Sequence, residues 1–303
     1  MKVSIVIPNY NGKDELVDNL PSVMASAKDS EIIVVDDASN DGSIDVLEKK
    51  FPTISLIRKK ENKGFASSVN EGVKFAKGDL ILLLNHDVCP SDDLLSFLIP
   101  HFDDQNVFAV GCLEKSKEER KIELRGRGIG CFEKGFLIHQ RGKVDRVDTL
   151  WVSGGASMFR KQYWQKLGGM DEIYNPFYWE DIDLSYRAQK AGYKIIFEPR
   201  SIVIHRHEKG AIKRLYSRYY INTIAYRNQI LFVWLNITDV IYLIEHLLYL
   251  PYYVVQSIVS RDFAFIHAFL QAILIFPKVM IKRIRNLRLS KKSDREILKR
   301  HIF

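Results

Sequence analysis

Residues 31–43 read EIIVVDDASNDGS, a short apolar run that ends in two adjacent acids and then in residues that favour turns. An apolar run of this length, bounded by turn residues, predicts a buried β-strand over 31–35. Carboxylates are costly to bury without partners, so Asp36 and Asp37 are candidate functional residues. The same residue types also form ordinary turns, which is the alternative.

The segments on both sides of this strand alternate between short apolar runs and helical patterns. Strands are predicted over 2–8, 54–58 and 79–84, and helices over 15–27, 44–51 and 65–77. Short strands that alternate with helices are typical of a parallel sheet covered on both faces. Ligands of such sheets bind beyond the carboxyl ends of the strands, so the functional residues are expected in the loops that follow them.

Three further polar clusters follow predicted strands. They are PNYNG at 8–12, ENKGFA at 61–66 and NHD at 85–87. The glycine at position 64 precedes a helix, where exposed backbone N–H groups can approach an anion, although a helix start without a ligand is the alternative. Asp87 emerges from a fully apolar strand, and a carboxylate at a strand end beside phosphates is a usual ligand of Mg²⁺ or Mn²⁺.

The second half of the domain has weaker periodicity before the regular pattern returns. Residues 114–150 are charged and contain glycines, which predicts a loop or a small antiparallel insertion. A strand end with a helix is predicted over 158–167, an amphipathic helix over 179–191, and two strands over 194–197 and 202–204.

Together these clusters resemble the pattern of glycosyltransferase family 2, inverting enzymes of the GT-A fold that include rhamnosyltransferase-like enzymes of the bacterial envelope. The later parts of the pattern are WVSGGASM at 151–158, GGMDE at 168–172, FYWEDIDLSYR at 177–187, AGY at 191–193 and His205. The resemblance covers residues 1–210. It implies an α/β fold with a GT-A (Rossmann-like), mostly parallel sheet flanked by helices and followed by a C-terminal apolar helical extension.

The resemblance implies a nucleoside-diphosphate sugar (UDP, dTDP or GDP) as donor and a saccharide or lipid-linked saccharide as acceptor. The residues that it implies for binding the nucleotide sugar are Pro8, Tyr10, Asn11, Asp36, Asp37, Asn62, Gly64, Asn85 and His86. The residues implied for the donor-sugar and acceptor pocket are Gly154, Gly155, Trp179, Glu180 and Asp183. Asp36 would accept the imino N–H of the base, which uracil, thymine and guanine all offer, so it does not select among them.

The resemblance also assigns a metal site and a general base. A divalent cation, Mn²⁺ or Mg²⁺, is expected on Asp87 and His205, although the family often carries an acid at the position of Asn85. The alternative for His205 is a histidine packed at a strand end. Asp181 is the expected base, because an inverting transfer needs a carboxylate to take the proton of the acceptor hydroxyl as it attacks the anomeric carbon. Acids at a helix start also complement the helix dipole, which is the alternative for this cluster.

The composition changes beyond residue 210. Residues 229–277 are rich in large apolar residues, and their longest charge-free runs are fifteen residues, shorter than the ~20 needed to span a bilayer. Residues 278–303 contain ten basic and two acidic residues and so account for the net charge of +8. We therefore expect a helical, membrane-associating region over 211–303.

Helices lying in the membrane interface fit this pattern best. A helical wheel over 262–277 places Ile266, Phe269, Leu270 and Ile273 on one face. Anionic lipid would attract the basic tail by roughly 1 kcal/mol per basic residue near the surface. The expected location is the cytoplasmic face of the cell membrane, as a peripheral or monotopic protein, in envelope polysaccharide synthesis. A bundle packed on the catalytic domain or at a dimer interface is the alternative.

Composition and cysteine usage exclude several other classes. The chain has 303 residues, of which 27% are charged and 12% aromatic, so a disordered chain is not expected. Cys89, Cys112 and Cys131 lack metal-ligand spacing and, being odd in number, argue for a reducing compartment. The first residues lack the pattern of a signal peptide. Nucleic-acid binding is not expected, because the basic tail adjoins a Leu/Phe-rich segment.

Two other functions remain as alternatives. A non-catalytic GT-A-fold partner in a glycan-assembly complex would explain Asn85 in place of an acid. A nucleotidyltransferase on a related sheet is disfavoured, because a Gly-rich, Lys-bearing loop near the N-terminus is missing.

Overall fold

A computed structural model describes residues 1–118, 121–205 and 215–301 and has a mixed α/β architecture. The strands are β1 (Val3–Asn9), β2 (Glu31–Asp36), β3 (Ser55–Arg58), β4 (Leu80–Leu84), β5 (Val88–Pro90), β6 (Val107–Glu118), β7 (Lys121–Arg125), β8 (Gly128–Glu133), β9 (Phe136–Arg141), β10 (Ala156–Arg160) and β11 (Lys194–His205). Within these ranges, nine strands form one sheet in the order β3-β2-β1-β4-β10-β6-β11-β5, with β7 paired to β6, while β8 and β9 form a separate hairpin.

Helices cover both faces of the large sheet. The α-helices are α1 (Lys13–Ser26), α2 (Ser43–Lys50), α3 (Phe65–Phe75), α4 (Leu94–Leu98), α5 (Lys161–Leu167), α6 (Glu180–Lys190), α7 (Arg218–Asn236), α8 (Val240–Val259), α9 (Ala264–Leu274), α10 (Phe276–Leu289) and α11 (Asp294–Leu298). Ile5 and Ile7 of β1 belong to the same core as Leu16 of α1, whereas the intervening Val6 packs with Val69 of α3 in a second core. The alternation of side chains along a strand therefore builds two cores, one on each face.

The parallel part of the sheet brings the predicted polar clusters to one edge. Strands β3, β2, β1 and β4 run parallel, and the register places Asn9 beside Asp36. The loops that follow these four strands start at residues 10, 37, 59 and 85. Because the carboxyl ends of parallel strands share an edge, this topology confirms the predicted placement of the four clusters.

The middle of the chain forms the small antiparallel insertion that the sequence predicted. Strand β6 pairs with β7 from Glu114↔Arg125 to Glu118↔Lys121, and β8 pairs with β9 from Gly128↔Arg141 to Glu133↔Phe136. Both pairs are antiparallel, and the β8–β9 hairpin lies outside the main sheet.

The expectation of two strands over 194–197 and 202–204 was wrong. A single strand, β11, continues through both segments, because β6 pairs with it in parallel on each side of the irregularity. The register shifts between Glu198 and Ile202, around Pro199, which has no N–H to donate to the ladder. The two apolar runs are therefore parts of one irregular strand.

The C-terminal helices pack directly on the sheet domain. One hydrophobic core joins Tyr186 of α6 with Phe232 of α7 and Ile297 of α11. The fully buried Asp294 of α11 accepts hydrogen bonds on Oδ1 from Tyr186 Oη at 2.7 Å and from Lys190 Nζ at 2.9 Å. Close packing thus crosses the predicted boundary between 1–210 and 211–303, and the residues next to that boundary lie outside the described ranges.

The C-terminal helices expose many large apolar side chains. In α8, the exposed ones include Val240, Ile241, Leu247, Leu248, Ile258 and Val259. None of the helices in the described ranges is, by itself, long and apolar enough to cross a membrane. The helices α9 and α10, which meet at a bend of 70°, together have the necessary length and composition.

The wheel predicted for residues 262–277 is only partly correct. Leu270 and Ile273 are exposed, as an interfacial face requires, but Phe269 packs against the core beneath α7 and Ile266 is half-buried. The fully buried small residues of α9 are Ala264, Ala268 and Ala272. Small residues allow close helix packing, so α9 is turned with its alanines toward the protein.

Candidate active site

Asp36, the last residue of β2, and Asp37, which follows it, hold neighbouring loops in place. Asp36 is fully buried, and its carboxylate accepts hydrogen bonds from Asn9 Nδ2 at 2.9 Å and from the backbone N–H of Ser39 at 2.9 Å. Asp37 pairs with Lys59 Nζ at 2.6 Å, and both side chains are buried. These partners satisfy the charges that burial would otherwise destabilise. Contact between Asp36 and a nucleotide base stays a prediction.

The end of β1 and the loop after it carry three of the residues predicted for the nucleotide sugar. Pro8 is buried within β1, whereas Tyr10 and Asn11 are partly exposed at its end. Asn11 adopts a left-handed conformation with φ of 51°, and its backbone N–H donates to Ser39 Oγ at 2.9 Å. The loops after β1 and β2 therefore form one connected unit.

The loop after β3 is joined to the loops after β1 and β2 by hydrogen bonds to Asp37. The backbone N–H of Gly64 donates to Asp37 Oδ2 at 2.8 Å and to Asn62 Oδ1 at 3.1 Å. Gly64 has φ of +86°, and a side chain there would come within 3.0 Å of Asn175 Oδ1. Both the backbone conformation and the lack of space therefore favour glycine at this helix start.

Asp87 and His205 lie side by side at the carboxyl end of β4. His205 Nε2 is 3.0 Å from Asp87 Oδ1, and the two side chains are 11% and 16% exposed. The antiparallel pairing of Val88 with His205 brings the residues together. The ring of His86 lies against Gly12, where a side chain would come within 2.3 Å of it.

A third buried carboxylate, that of Glu114 on β6, lies next to this pair. Glu114 Oε2 is 3.7 Å from His205 Nδ1. Burial lowers the pKa of His205, but the carboxylates of Asp87 and Glu114 outweigh it and raise this pKa to about 9. Burial raises the pKa of Glu114, and His205 outweighs it, so that the pKa of Glu114 falls below its ordinary value.

The chemistry of these side chains fits a divalent cation that is shared with a substrate. A carboxylate oxygen and an imidazole nitrogen are suitable ligands of Mn²⁺, and Asp87 and His205 offer one of each. In the part of the chain that the structure describes, no group of three or more His, Cys, Asp and Glu residues is arranged to hold a metal alone. The pair therefore suits a cation whose remaining ligands are phosphate and water.

Asp181 lies in the first turn of α6 and faces the Gly154-Gly155 segment. Its Oδ2 accepts a hydrogen bond from the backbone N–H of Gly154 at 3.1 Å, and its side chain is partly exposed. Burial raises the pKa of Asp181, and the hydrogen bond from Gly154 limits that rise. A raised carboxyl pKa suits a group that must accept a proton.

The Gly154-Gly155 segment also contacts the metal side of the site. The backbone N–H of Asn85 donates to the carbonyl of Gly155 at 2.9 Å, and a side chain on Gly155 would approach Asn85 Nδ2 to 2.6 Å. Glycine thus lets the backbone run close between Asp181 and Asn85, two residues before Asp87. The structure brings these predicted residues together around one segment.

Glu180 and Asp183 differ in their surroundings. Burial, together with the neighbouring charges of Asp181 and Asp183, raises the pKa of Glu180 to about 8. Asp183 is fully buried and pairs with Arg187 Nε at 2.7 Å, while Tyr174 Oη donates to it at 3.0 Å. These internal partners fix the Asp183 side chain beside α6, and its assignment to the pocket stays a prediction.

The residues just before α6 adopt an uncommon backbone conformation. Tyr178 and Trp179 have φ of 72° and 80°, in the left-handed region that side chains other than glycine rarely adopt. Tyr178 is exposed, whereas Trp179 is buried, with its ring at 4.9 Å from that of His139 and 5.1 Å from that of Phe232. Strained residues of this kind cluster at functional sites.

Asn228 of α7, which the sequence reasoning missed, holds this backbone. Its Nδ2 donates to the carbonyls of Tyr174, Phe177 and Tyr178 at 2.7, 3.0 and 2.9 Å. Asn228 is fully buried. A polar amide next to the apolar run 230–235 is the only signal that the sequence offers for it.

Glu114 is the second site residue that the sequence reasoning missed. It follows the apolar run VFAVGCL at 107–113, which is the pattern that singled out Asp87. Because the segment from residue 114 onward is predicted to be a loop or insertion, the sequence reasoning did not select Glu114 as a candidate. An acid that ends an apolar strand should therefore be considered even where the following segment is irregular.

Comparison with known proteins supplies independent information on this fold. The family model described as "Glycosyl transferase family 2" matches residues 4–168. The chain is 33% identical over 170 residues to the poly(ribitol-phosphate) beta-glucosyltransferase of Bacillus spizizenii, covering 53% of this chain and 25% of that protein. The chain spans between a quarter and about half of the length of the curated relatives it matches.

Two solved structures have similar folds. GalNAc-T7, in a complex with UDP, GalNAc and Mn²⁺, has a TM-score of 0.62 at 18% identity and covers 78% of this chain and 48% of its own. The mannosyltransferase PcManGT of Pyrobaculum calidifontis, in complex with GDP-Man and Mn²⁺, has a TM-score of 0.55 at 17% identity, covering 95% of this chain and 74% of its own. This likeness confirms the fold predicted from the sequence.

Proposed function

This chain belongs to glycosyltransferase family 2, and we therefore propose that it transfers a sugar from a nucleoside-diphosphate sugar to a saccharide or lipid-linked saccharide, with inversion. One observation supports the proposal above all. The Gly154-Gly155 segment contacts Asp181 on one side and Asn85, next to the Asp87–His205 pair, on the other. The proposed base and the proposed cation-binding pair therefore lie near one backbone segment, as a single displacement requires.

Asp181 acts as the general base in this proposal. Its carboxylate accepts the proton of the acceptor hydroxyl as that oxygen attacks the anomeric carbon, and the nucleoside diphosphate leaves on the opposite side of the sugar. The backbone N–H of Gly154 holds Oδ2 in place, and burial raises the pKa of Asp181 toward the range in which a carboxylate accepts protons well.

Asp87 and His205 would hold the cation in this proposal, and a cation bound there would supply positive charge beside the leaving diphosphate. Strands β2, β1 and β4 are neighbours at ~4.8 Å spacing, so the end of β2 lies roughly 10 Å from the end of β4. A nucleoside diphosphate whose phosphates lie at the end of β4 could therefore extend its nucleoside to the loops after β1, β2 and β3.

The C-terminal helices support a proposed location at the cytoplasmic face of a membrane. They combine the exposed apolar side chains of α8 and α9 with basic residues in and just after α10, where seven Lys and Arg lie between 278 and 292. Apolar insertion and attraction to anionic lipid act together in such interfacial helices. A lipid-linked acceptor would be presented at the same surface.

Replacing Asp181 with asparagine tests the catalytic assignment. We expect Asp181→Asn to lower kcat by about 10²–10⁴-fold, because the acceptor proton loses its base. Binding of Mn²⁺ and nucleotide, measured by calorimetry, should persist. A first screen of UDP-, dTDP- and GDP-sugars for thermal stabilisation in the presence of Mn²⁺ identifies the donor.

Asp14→Asn is the matched control, because this carboxylate of α1 is 88% exposed and is not among the residues assigned to the site. It should leave turnover unchanged. Undiminished turnover in Asp181→Asn would remove the assigned base. A wild-type chain that binds neither Mn²⁺ nor any nucleotide would instead support the non-catalytic partner.

A further inference from the structure

Glu114 lies beside His205 in the proposed active site, and nothing in the family pattern assigns it a role. We propose that Glu114 is a positioning residue that orients His205 toward the cation. The proposal rests on the proposed function, since it concerns the same cation.

The burial of Glu114 is unusual for a charged side chain and indicates a functional role. The side chain is 9% exposed at the end of the apolar part of β6. Its Oε2 faces His205, while its Oε1 is buried and, among residues 1–118, 121–205 and 215–301, has no hydrogen-bond partner. A buried carboxylate with one unsatisfied oxygen is destabilising, so its presence calls for a functional explanation.

The two nitrogens of His205 face different carboxylates. Nε2 lies 3.0 Å from Asp87, and Nδ1 lies 3.7 Å from Glu114. A histidine that binds a metal through one nitrogen usually donates its other N–H to a carboxylate, which fixes the tautomer and the ring orientation. A cation bound at Nε2 would displace the proton from that nitrogen, and Nδ1–H would then face Glu114.

A structural alternative is that Glu114 only balances Arg125. The two residues are paired in register between β6 and β7, and Arg125 lowers the pKa of Glu114. Arg125 also donates to Glu123 at 2.8 Å. If this pairing were the whole role, loss of Glu114 would change the stability of the sheet without changing the affinity for Mn²⁺.

The isosteric variant Glu114→Gln distinguishes the two roles. Both the variant and the wild type are titrated with Mn²⁺, and the electron paramagnetic resonance signal of the free ion reports how much is bound. Each titration is run with and without the nucleoside diphosphate that stabilises the wild type against heat. We expect Mn²⁺ affinity to fall by about 10–100-fold, the range found for residues that orient metal-binding histidines. Glu114→Asp keeps the charge and should recover part of that affinity.

Glu123→Gln is the matched control, because it removes a carboxylate from the neighbouring strand that contacts Arg125 but not His205. It should bind Mn²⁺ as the wild type does. Wild-type affinity in a folded Glu114→Gln would overturn the inference, as would equal losses in both variants. If the wild type itself fails to bind Mn²⁺, the proposed function fails rather than this assignment.

Discussion

Asn228 illustrates how a residue outside the sequence motifs fixes the geometry of the site. Its amide is the donor for three backbone carbonyls in the loop that leads to Asp181, and the last of them belongs to the strained Tyr178. Maintaining two consecutive left-handed residues requires about 1–3 kcal/mol each from the surroundings. Asn228 therefore provides part of the stabilisation that keeps α6 at its place.

Removal of this amide should impair both stability and turnover. We expect Asn228→Ala to lower the free energy of unfolding by about 1–3 kcal/mol, because buried carbonyls lose their donor. The value of kcat should fall more than tenfold if the loop moves Asp181 by about an ångström. Urea denaturation and steady-state kinetics measure the two effects.

Asn222→Ala on the same helix is the comparison, because its side chain is only half-buried. It should change the unfolding free energy by less than about 0.5 kcal/mol. Equal activities in Asn228→Ala and Asn222→Ala would contradict the role of Asn228 in positioning the loop.

Single residues were predictable where they end an apolar strand. Asp36, Asp87 and Asp181 became candidates because acids at strand ends or a helix start are conspicuous in one sequence, and the family resemblance supplied their predicted roles. Asn228 could not, because the backbone that it holds is fifty residues earlier in the chain. Contacts at such a separation follow from tertiary packing, which no local pattern encodes.

Among the elements, α6 connects the catalytic end of the molecule with its C-terminus. Asp181 lies in its first turn, and Lys190 at its end donates to the buried Asp294 of α11. The second oxygen of Asp294 accepts from the backbone and side chain of Thr238 and from the backbone of Asp239. A single carboxylate therefore joins α6, the α7–α8 junction and α11.

Loss of this carboxylate should destabilise the whole chain. We expect Asp294→Ala to lower the free energy of unfolding by about 3–5 kcal/mol, because Lys190 is left buried without its partner. Lys299→Ala, at an exposed position just after α11, should change it by less than about 0.5 kcal/mol. A difference under 1 kcal/mol between the two variants in urea denaturation would refute this account.

Elements with strong periodicity were predictable, and those defined by distant partners were not. The alternation of strands and helices over residues 2–84 agrees with the structure to within a few residues. In contrast, β11 is one strand because β6 lies beside it, and α9 is turned because its alanines pack on α7. In both cases the neighbouring element, rather than the local sequence, decides the outcome.

At the scale of the whole molecule, charge and apolar surface are unevenly distributed. Residues 1–277 are electrically neutral in sum, and the net charge of +8 lies in the segment that follows. Leu248 and Leu274 are 72% and 80% exposed on the C-terminal helices. Large contiguous apolar patches on a protein mark interaction sites.

Acidic substitutions on this surface test the proposed membrane contact. Burying an exposed leucine in the interface contributes about 1.5–3 kcal/mol. We therefore expect Leu248→Glu combined with Leu274→Glu to weaken binding to anionic phospholipid vesicles more than 100-fold, measured by co-sedimentation. Turnover of a water-soluble acceptor should be unaffected.

Val147→Glu provides the control, because Val147 is 59% exposed and lies outside α8 and α9, which carry the two leucines. Its vesicle binding should match that of the wild type. If the wild type remains in the supernatant with anionic vesicles, the membrane contact is wrong. A change of oligomeric state in the doubly substituted protein would instead favour a dimer interface.

The contact between α6 and Asp294 has a consequence for exchanging parts among relatives. The recognisable motifs end near residue 205, so a chimera joined there would contain every predicted catalytic side chain. It would nevertheless lack the matched acceptor for Lys190 and the apolar partners of Tyr186. Chimeras that aim to change acceptor choice should therefore take α6 and the C-terminal helices together from the same parent protein.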